Sequence, residues 1–269
     1  MRRYGLAFIL QLILVLLVCA FLMVPVGMSM LAGVTRNYLD GIESGLTLDW
    51  LARVWELYRG TIFTSILLAI LCLGATLVLG VPAAYVLARR QSALTRMMEE
   101  LLVMPIAMPG LAIALALIVT YGGFGGFRRS ILFILVGHVL YTLPFMVRSV
   151  LAVLLSIDFK TLEEGAASLG AGFMRRFFTV ILPNCRSGII AGSLMVVTLS
   201  LGEFNMTLLL HTPHTMTLPV GLADAYSSMR IEIGSAYTVV FFALVIPLLL
   251  VIQSLGQQRR RPAQLNQAG

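Results

Sequence analysis

A carboxylate inside an apolar run is the first group in this chain that could do chemistry: Glu203, in "LSLGEFN". A glutamate there is costly unless it faces a cavity or a partner, which makes Glu203 a candidate for a solute or ion path. The structural alternative is a hydrogen-bonded glutamate that ties helices together. Asn205, two residues on, belongs to the same candidate path. The chain has three histidines. His138 lies in an apolar run and reads as a hydrogen-bonded helix residue. His211 and His214, in "HTPH", are three apart with a proline between them and no third ligand in reach, so they read as a loop rather than a metal site. Enzymatic chemistry finds no footing. Lys160 is the only lysine and it follows Phe159, which excludes a G-x-x-x-x-G-K-[ST] phosphate loop, and neither G-x-S-x-G nor H-E-x-x-H occurs. No cofactor is expected on this chain.

The second concentration of charge is "TLEEGAASLGAGFMRRFFTVILP", Thr161 to Pro183. Thr161-x-x-Glu164 has the capping-box pattern, and Glu163 and Glu164 in a first turn would complement the helix dipole. Leu162, Ala166, Leu169, Phe173 and Phe177 recur at helical spacing and draw an apolar stripe. Gly170-Ala171-Gly172 interrupts it, so the spacing predicts a short helix, a bend and a second short helix stopping before Pro183. The stripe must be covered, either by a partner into which it docks or by the chain's own bundle. Periodicity leaves both open.

The elements that hold these residues are set by composition. The 269 residues are 59% hydrophobic and 12% charged, with a mean hydropathy of +0.96. Apolar runs of the length a bilayer requires, about 20 residues, fall near 7–30, 61–88, 101–121, 131–154, 187–210 and 233–256. These are continuous runs, so six helices are expected rather than a β-barrel. Placing both termini on the cytoplasmic side puts 13 of the 19 basic residues inside, among them Arg2, Arg3, Lys160, Arg175, Arg176 and Arg259 to Arg261. The net charge of +7 is then a topology signal, not a nucleic-acid footprint. The Thr161–Pro183 segment falls in the cytoplasm. "MRRYGLAFILQLILVLLVCAFLMVPV" has too long an apolar core and no A-x-A site for a cleaved signal, so it is expected to stay as span one.

Between spans one and two, "TLDWLARVWELYRG" carries Leu48, Leu51, Val54, Trp55 and Tyr58 on one helical face. It suits a helix at the outer membrane surface or a loop packed on the bundle. "GGFGGF" at 122–127 reads as a tight turn. Pro25, Pro82, Pro105, Pro109, Pro144 and Pro247 fall within or at the edges of spans, where the carbonyls they free need other partners. "MPIAMPG" at 104–110 predicts a bent or broken span three, with Pro105, Pro109 and Pro144 as candidate path residues or ordinary kinks. Gly188 and Gly192 form a small-x-x-x-small face on span five. Cys19, Cys72 and Cys185 form no pair or C-x-x-C and read as packing residues. The tail "GQQRRRPAQLNQAG" reads as short, basic and disordered. The domain reading is 1–60 as the first helix and external segment, 61–256 as the core with its docking element at 161–183, and 257–269 as the tail.

The Thr161–Pro183 segment also resembles the cytoplasmic signature of permease subunits in binding-protein-dependent ATP-binding-cassette importers: Glu-Ala-Ala, three residues, Gly, nine residues, Ile, one residue, Leu-Pro. Here it reads Glu164, Gly165, Ala166, Gly170, Val180, Leu182 and Pro183, departing at Gly165 and Val180. "VPAAYVLARR", "MPIAMPG", "LPFMVR" and "TLPVGL" extend the resemblance over roughly 60–255. It implies an all-α, six-helix bundle of the type I importer (MetI-like) fold in the bacterial inner membrane. It implies an ATPase-coupling helix including Glu163, Glu164, Gly165, Ala166, Ala167, Leu169, Gly170, Ala171, Phe173, Leu182 and Pro183. The implied partners are two ATPase subunits carrying ATP and Mg, a second permease chain, either a different homologous chain or a second copy of this one, an external solute-binding protein and membrane lipid. The implied solute is a small charged one, of the polyamine, aminoethylphosphonate, iron or oxyanion class. The rival classes are an ion-coupled carrier or channel using Glu203, Arg148 and His138, and a structural membrane scaffold.

Overall fold

A computed structural model describes residues 5–90 and 92–257; Arg2, Arg3, Arg259 to Arg261 and the basic tail lie outside them. The described chain is helical throughout apart from turns and one isolated bridge, Thr35 to Leu46. Among the described residues, four helices are long and apolar enough to cross a membrane, or up to six spans if each of two bent pairs counts as one. The chain divides into two units. One holds the residues up to Arg59 together with Gly221–Ala243. The other holds Gly60–Val220 together with the chain from Leu244 on.

In the first unit, α1 (Leu6–Ala32) presents apolar side chains all around its length. Its last turn packs tightly: a Cβ on Gly33 would lie 2.5 Å from the Ala236 backbone nitrogen. The Trp50 indole donates to the Thr35 carbonyl at 2.9 Å, and the Tyr58 and Tyr237 rings meet edge to face at 5.0 Å. The amphipathic segment, expected as a helix at the outer membrane surface or as a packed loop, is helical and continues without a break into the following span. It is the first three turns of α2 (Asp49–Arg89), a single 41-residue helix. Nothing in its sequence stops it, since Gly60 costs only about 1 kcal/mol in a helix and Pro82 lies near the far end.

The second unit holds α3 (Ala93–Ala107), α4 (Gly110–Tyr121), α5 (Gly125–Arg128) and α6 (Ile131–Ser156). Then come α7 (Phe159–Ser168), α8 (Phe173–Arg176), α9 (Leu182–Asn184), α10 (Arg186–Gly202) and α11 (Asn205–Leu210). α12 (Leu218–Ser227) and α13 (Ile231–Gln257) follow, each running from one unit into the other. "GGFGGF" is a turn that runs into α5. Span three breaks as its prolines predict: α3 and α4 meet at 105°. Pro105 is carried inside α3, while Pro109 caps α4, its carbonyl accepting from Ala112 and Ile113.

α6 runs through both apolar cores of this unit. Phe133 and Ile134 join Leu68, Ile113, Leu117, Met206 and Leu210 in one. Met146, Val150 and Leu154 join Ala84, Ala88 and Val196 in the other. The small face of α10 lets it sit directly on α6. A Cβ on Gly188 would lie 2.5 Å from the Ser149 carbonyl oxygen, and one on Gly192 2.8 Å from the Met146 sulfur. Gly188→Val is therefore expected to force the helices apart, costing about 3 kcal/mol or more. Its yield of monodisperse protein in detergent should fall well below that of Gly74→Val, whose Cβ meets nothing within 4 Å. Equal yields would contradict this packing.

Candidate functional site

The element α7–α9 is built by its own short-range chemistry. Asp158 caps α7, its carboxylate accepting from the Thr161 amide at 3.4 Å and the Thr161 hydroxyl at 2.6 Å. These bonds hold the Asp158 carboxyl below its usual range. The helix thus starts at Phe159 and not at Thr161. The expected Thr161–Glu164 box does not form, because a carboxylate two residues before the helix's second position captures the threonine first. Glu163 and Glu164 accordingly lie beyond the first turn.

Gly170 ends α7 with φ +80°. Its amide donates to Ala167 and that of Ala171 to Ala166, the paired bonds of a Schellman stop. The second segment does not stop before Pro183. It continues from α8 through a π-helical turn, Phe177–Ile181, into α9, which contains Pro183. The wider turn relieves the clash between a proline ring and the carbonyl four residues back. The chain bends instead at Cys185, 72° into α10.

The bend splits the apolar stripe between both of its possible coverings. Phe159, Phe177 and Ile181 turn toward the bundle, while Leu162, Leu169, Phe173, Met174 and Phe178 stay exposed, Leu169 to 89%. Glu164, Gly165, Ala167, Gly170 and Pro183 are exposed with them, and Ala166, Ala171 and Leu182 are half-buried. Glu163 is the exception, only 3% exposed. Its Oε1 accepts from the Tyr85 hydroxyl at 2.9 Å and lies 3.3 Å from Arg89 Nη1 and 3.5 Å from Arg176 Nη1. Arg89 also donates to the Tyr85 hydroxyl at 2.8 Å. Phe159, Phe173 and Phe177 surround the Tyr85 ring at 5.7–6.2 Å. One carboxylate thus ties α7 to the end of α2 and to α8. Sequence reasoning missed Tyr85, Arg89 and Arg176 as its partners. Tyr85 and Arg89, one turn apart at the end of a span, were the available signal.

The second cluster lies where span five, expected to be continuous, breaks. α10 stops at Gly202, Glu203 is extended, and α11 restarts at Asn205. The Glu203 carboxylate accepts from the amides of Met206 (2.7 Å) and Thr207 (2.8 Å) and from the Thr207 hydroxyl (2.6 Å). Because Thr207 gives its hydroxyl proton to Glu203, its oxygen accepts from His138 Nε2–H, 2.9 Å away. His138 Nδ1 is then the acceptor for Ser200 Oγ, also at 2.9 Å. His138, Ser200 and Thr207 are buried. The chain Ser200–His138–Thr207–Glu203 joins α10, α6 and α11. Glu203 Oε1 would lie 3.2 Å from a Cβ on Gly110, so the breaks of spans three and five meet. Pro109 and Asn205, beside that junction, are exposed, whereas Pro105 in α3 is half-buried and Pro144, inside α6, is buried. His211 caps the other end of α11, its Nδ1 facing the Leu208 carbonyl at 2.9 Å.

Comparison with known proteins places the whole chain. The model of the family described as "Binding-protein-dependent transport system inner membrane component" matches residues 77–261. The chain is 32% identical over 183 residues to the molybdenum transport system permease protein ModB of Escherichia coli K12, covering 62% of this chain and 80% of that one. It is 27% identical over 216 residues to the sulfate transport system permease protein CysW of Synechocystis, covering 75% and 78%. It is 23% identical over 247 residues to a putative 2-aminoethylphosphonate transport system permease protein, PhnV, of Salmonella paratyphi A, covering 88% and 90%. Among solved structures the fold is similar to a chain of a bacterial ABC transporter involved in import of the polysaccharide alginate (TM-score 0.68, 15% identity, 95% and 96% covered). It is also similar to a chain of the MetNI methionine ABC transporter in inward-facing conformations (TM-score 0.60, 18% identity, 76% and 94% covered).

Proposed function

Since the chain belongs to the family of binding-protein-dependent transport system inner membrane components, we propose that it is the permease of an importer for a small oxyanion or phosphonate. It is a multi-pass inner-membrane subunit without catalytic chemistry of its own. ATP and Mg are bound by two ATPase subunits, the solute arrives on an external binding protein, and a second, different permease chain completes the path. Both termini and the α7–α9 element face the cytoplasm. The solute class is supported by the relatives named for molybdenum, sulfate and aminoethylphosphonate transport, which narrows the charged-solute expectation.

The observation that carries this reading is the α7–α9 element. It holds the Glu164–Pro183 signature in a bent, internally stopped unit, exposes Leu169 and its apolar neighbours on one side, and is tied through Glu163 to α2 on the other. An exposed apolar ridge of this kind calls for a protein partner. A closing ATPase pair would push on the ridge, and the Glu163 tie would pass the displacement to the spans. Glu164, Gly165, Ala166, Ala167, Leu169, Gly170, Ala171 and Phe173 form the coupling surface, Leu182 and Pro183 its anchor, and Glu163 its link inward.

The test is uptake by proteoliposomes holding this chain, its partner permease and the ATPases. Uptake of radiolabelled molybdate, sulfate or 2-aminoethylphosphonate should require both internal ATP and the external binding protein. Uptake by this chain alone, driven by an ion gradient without ATP, would instead establish a carrier.

A further inference from the structure

We propose that Asn205, and not Glu203, is the side chain that span five offers to the solute, and that Glu203 is a positioning residue holding Asn205 there. This rests on the importer reading and assigns roles within its path.

The two residues are adjacent to one break and have opposite surroundings. Both carboxylate oxygens of Glu203 accept bonds from its own following helix, and its side chain is 7% exposed. Its negative charge is spent on the first amides of α11, the groups that a helix start leaves without partners. A second chain of bonds fixes the same carboxylate to α6, through Thr207 and His138 to Ser200. Glu203 therefore closes an internal circuit and spends three acceptor positions on its own chain, two of them on Oε2 and one on Oε1. It would repel an anion if it were turned outward.

Asn205 is the residue this circuit places at the surface. It opens α11 and is exposed, while its helix neighbours Met206 and Thr207 are buried. Asn205 follows closely on α10, the last helix of a bent apolar pair that ends at Gly202. An exposed amide there that met hydrocarbon would lose its hydrogen bonds, and irregular backbone at membrane depth is tolerated where it lines protein or a wet cavity. Both conditions point the same way. The Met108–Pro109 break is exposed and comes to the same junction, where Gly110 allows α4 to approach the carboxylate. A primary amide offers two N–H donors without charge. That suits passage of an oxyanion or phosphonate, which must be bound weakly enough to leave.

The experiment uses the whole transporter, with Cys19→Ser and the buried Cys72 and Cys185 retained to set the background. Asn205→Cys should react with a water-soluble, charged methanethiosulfonate reagent at least tenfold faster than Val119→Cys, which is 85% exposed on the apolar side of α4. Glu203→Ala should reduce that contrast at least fivefold. In uptake, Asn205→Ala should raise KM for the transported anion fivefold or more, whereas Glu203→Gln, which keeps size and one acceptor oxygen, should keep it within about threefold. Labelling at 205 no faster than at 119 would place Asn205 against lipid and overturn the proposal. A KM rise in Glu203→Gln as large as that in Asn205→Ala, with the labelling rate of Asn205→Cys unchanged by Glu203→Gln, would make Glu203 a solute ligand and overturn it equally. Failure of wild type to show any ATP-driven uptake would instead remove the importer reading, and the solute role with it.

Discussion

Gly170→Asp is expected to insert and fold at wild-type levels yet no longer retain the ATPase. Gly170 holds φ +80° at the stop of α7, a conformation that costs a residue with a side chain about 1–2 kcal/mol. No atom lies within 4 Å of the Cβ it would gain, so nothing inside the bundle is displaced. The damage is confined to the exposed side. The Schellman stop loosens, and a carboxylate appears beside Leu169, in the apolar ridge that has to enter the partner's surface. A charge buried there without a counter-charge costs several kcal/mol of docking energy. Gly170→Ala separates the two effects, since it carries the backbone strain without the charge. Affinity purification through this chain should recover the ATPase in full with wild type, partly with Gly170→Ala and not at all with Gly170→Asp. Full recovery with Gly170→Asp would take this turn out of the docking surface.

Glu163→Ala is expected to fail differently, with the ATPase bound but its work lost. The substitution removes the one acceptor shared by Tyr85, Arg89 and Arg176 and leaves two guanidinium groups facing each other. Arg89 is about half exposed, so solvent screens much of its share. The loss is about 1–3 kcal/mol, carried mainly by the more buried Arg176 and the tyrosine bond. That is too little to unfold a bundle whose helices pack over two apolar cores. It is enough to let α7 move against α2. Docking depends on the opposite, exposed face and should survive. The measurement is solute transported per ATP hydrolysed in proteoliposomes: at least tenfold lower in Glu163→Ala, with hydrolysis retained. Glu163→Gln keeps an acceptor for Tyr85 without the charge and should fall between. An unchanged ratio in Glu163→Ala would mean that the link is ornamental to coupling.

What could be read from the sequence follows from the range of the forces involved. The apolar runs located the long apolar helices, four to six candidate spans, because hydropathy is local, and "MPIAMPG" located the break in span three because Pro109 acts on its own backbone. The small face of Gly188 and Gly192 was legible for the same reason. The break at Glu203 was not. "LSLGEFNMTLLL" reads as one apolar run, and what opens it is a carboxylate bonded to the next turn and, through Thr207, to His138 more than 60 residues earlier. The start of α7 was misplaced by a competition between two caps, in which Asp158 is better placed than Thr161. The passage through Pro183 depends on a π turn that no local pattern announces. Glu163 and Glu164 look equivalent in sequence, and only the position of Tyr85 and Arg89 sends one inward and leaves the other outside.

The central claim is that the exposed ridge of α7–α9 is where an ATPase pushes. The direct measurement is cross-linking from Leu169→Cys, in a Cys19→Ser background, within the assembled transporter in native membranes. A short thiol-to-lysine cross-linker should join this chain to the ATPase from position 169 and not from Val119→Cys. The yield should change when ATP is trapped in the ATPase. Co-purification of the ATPase without any cross-link from position 169, in either nucleotide state, would place the contact elsewhere and contradict the account.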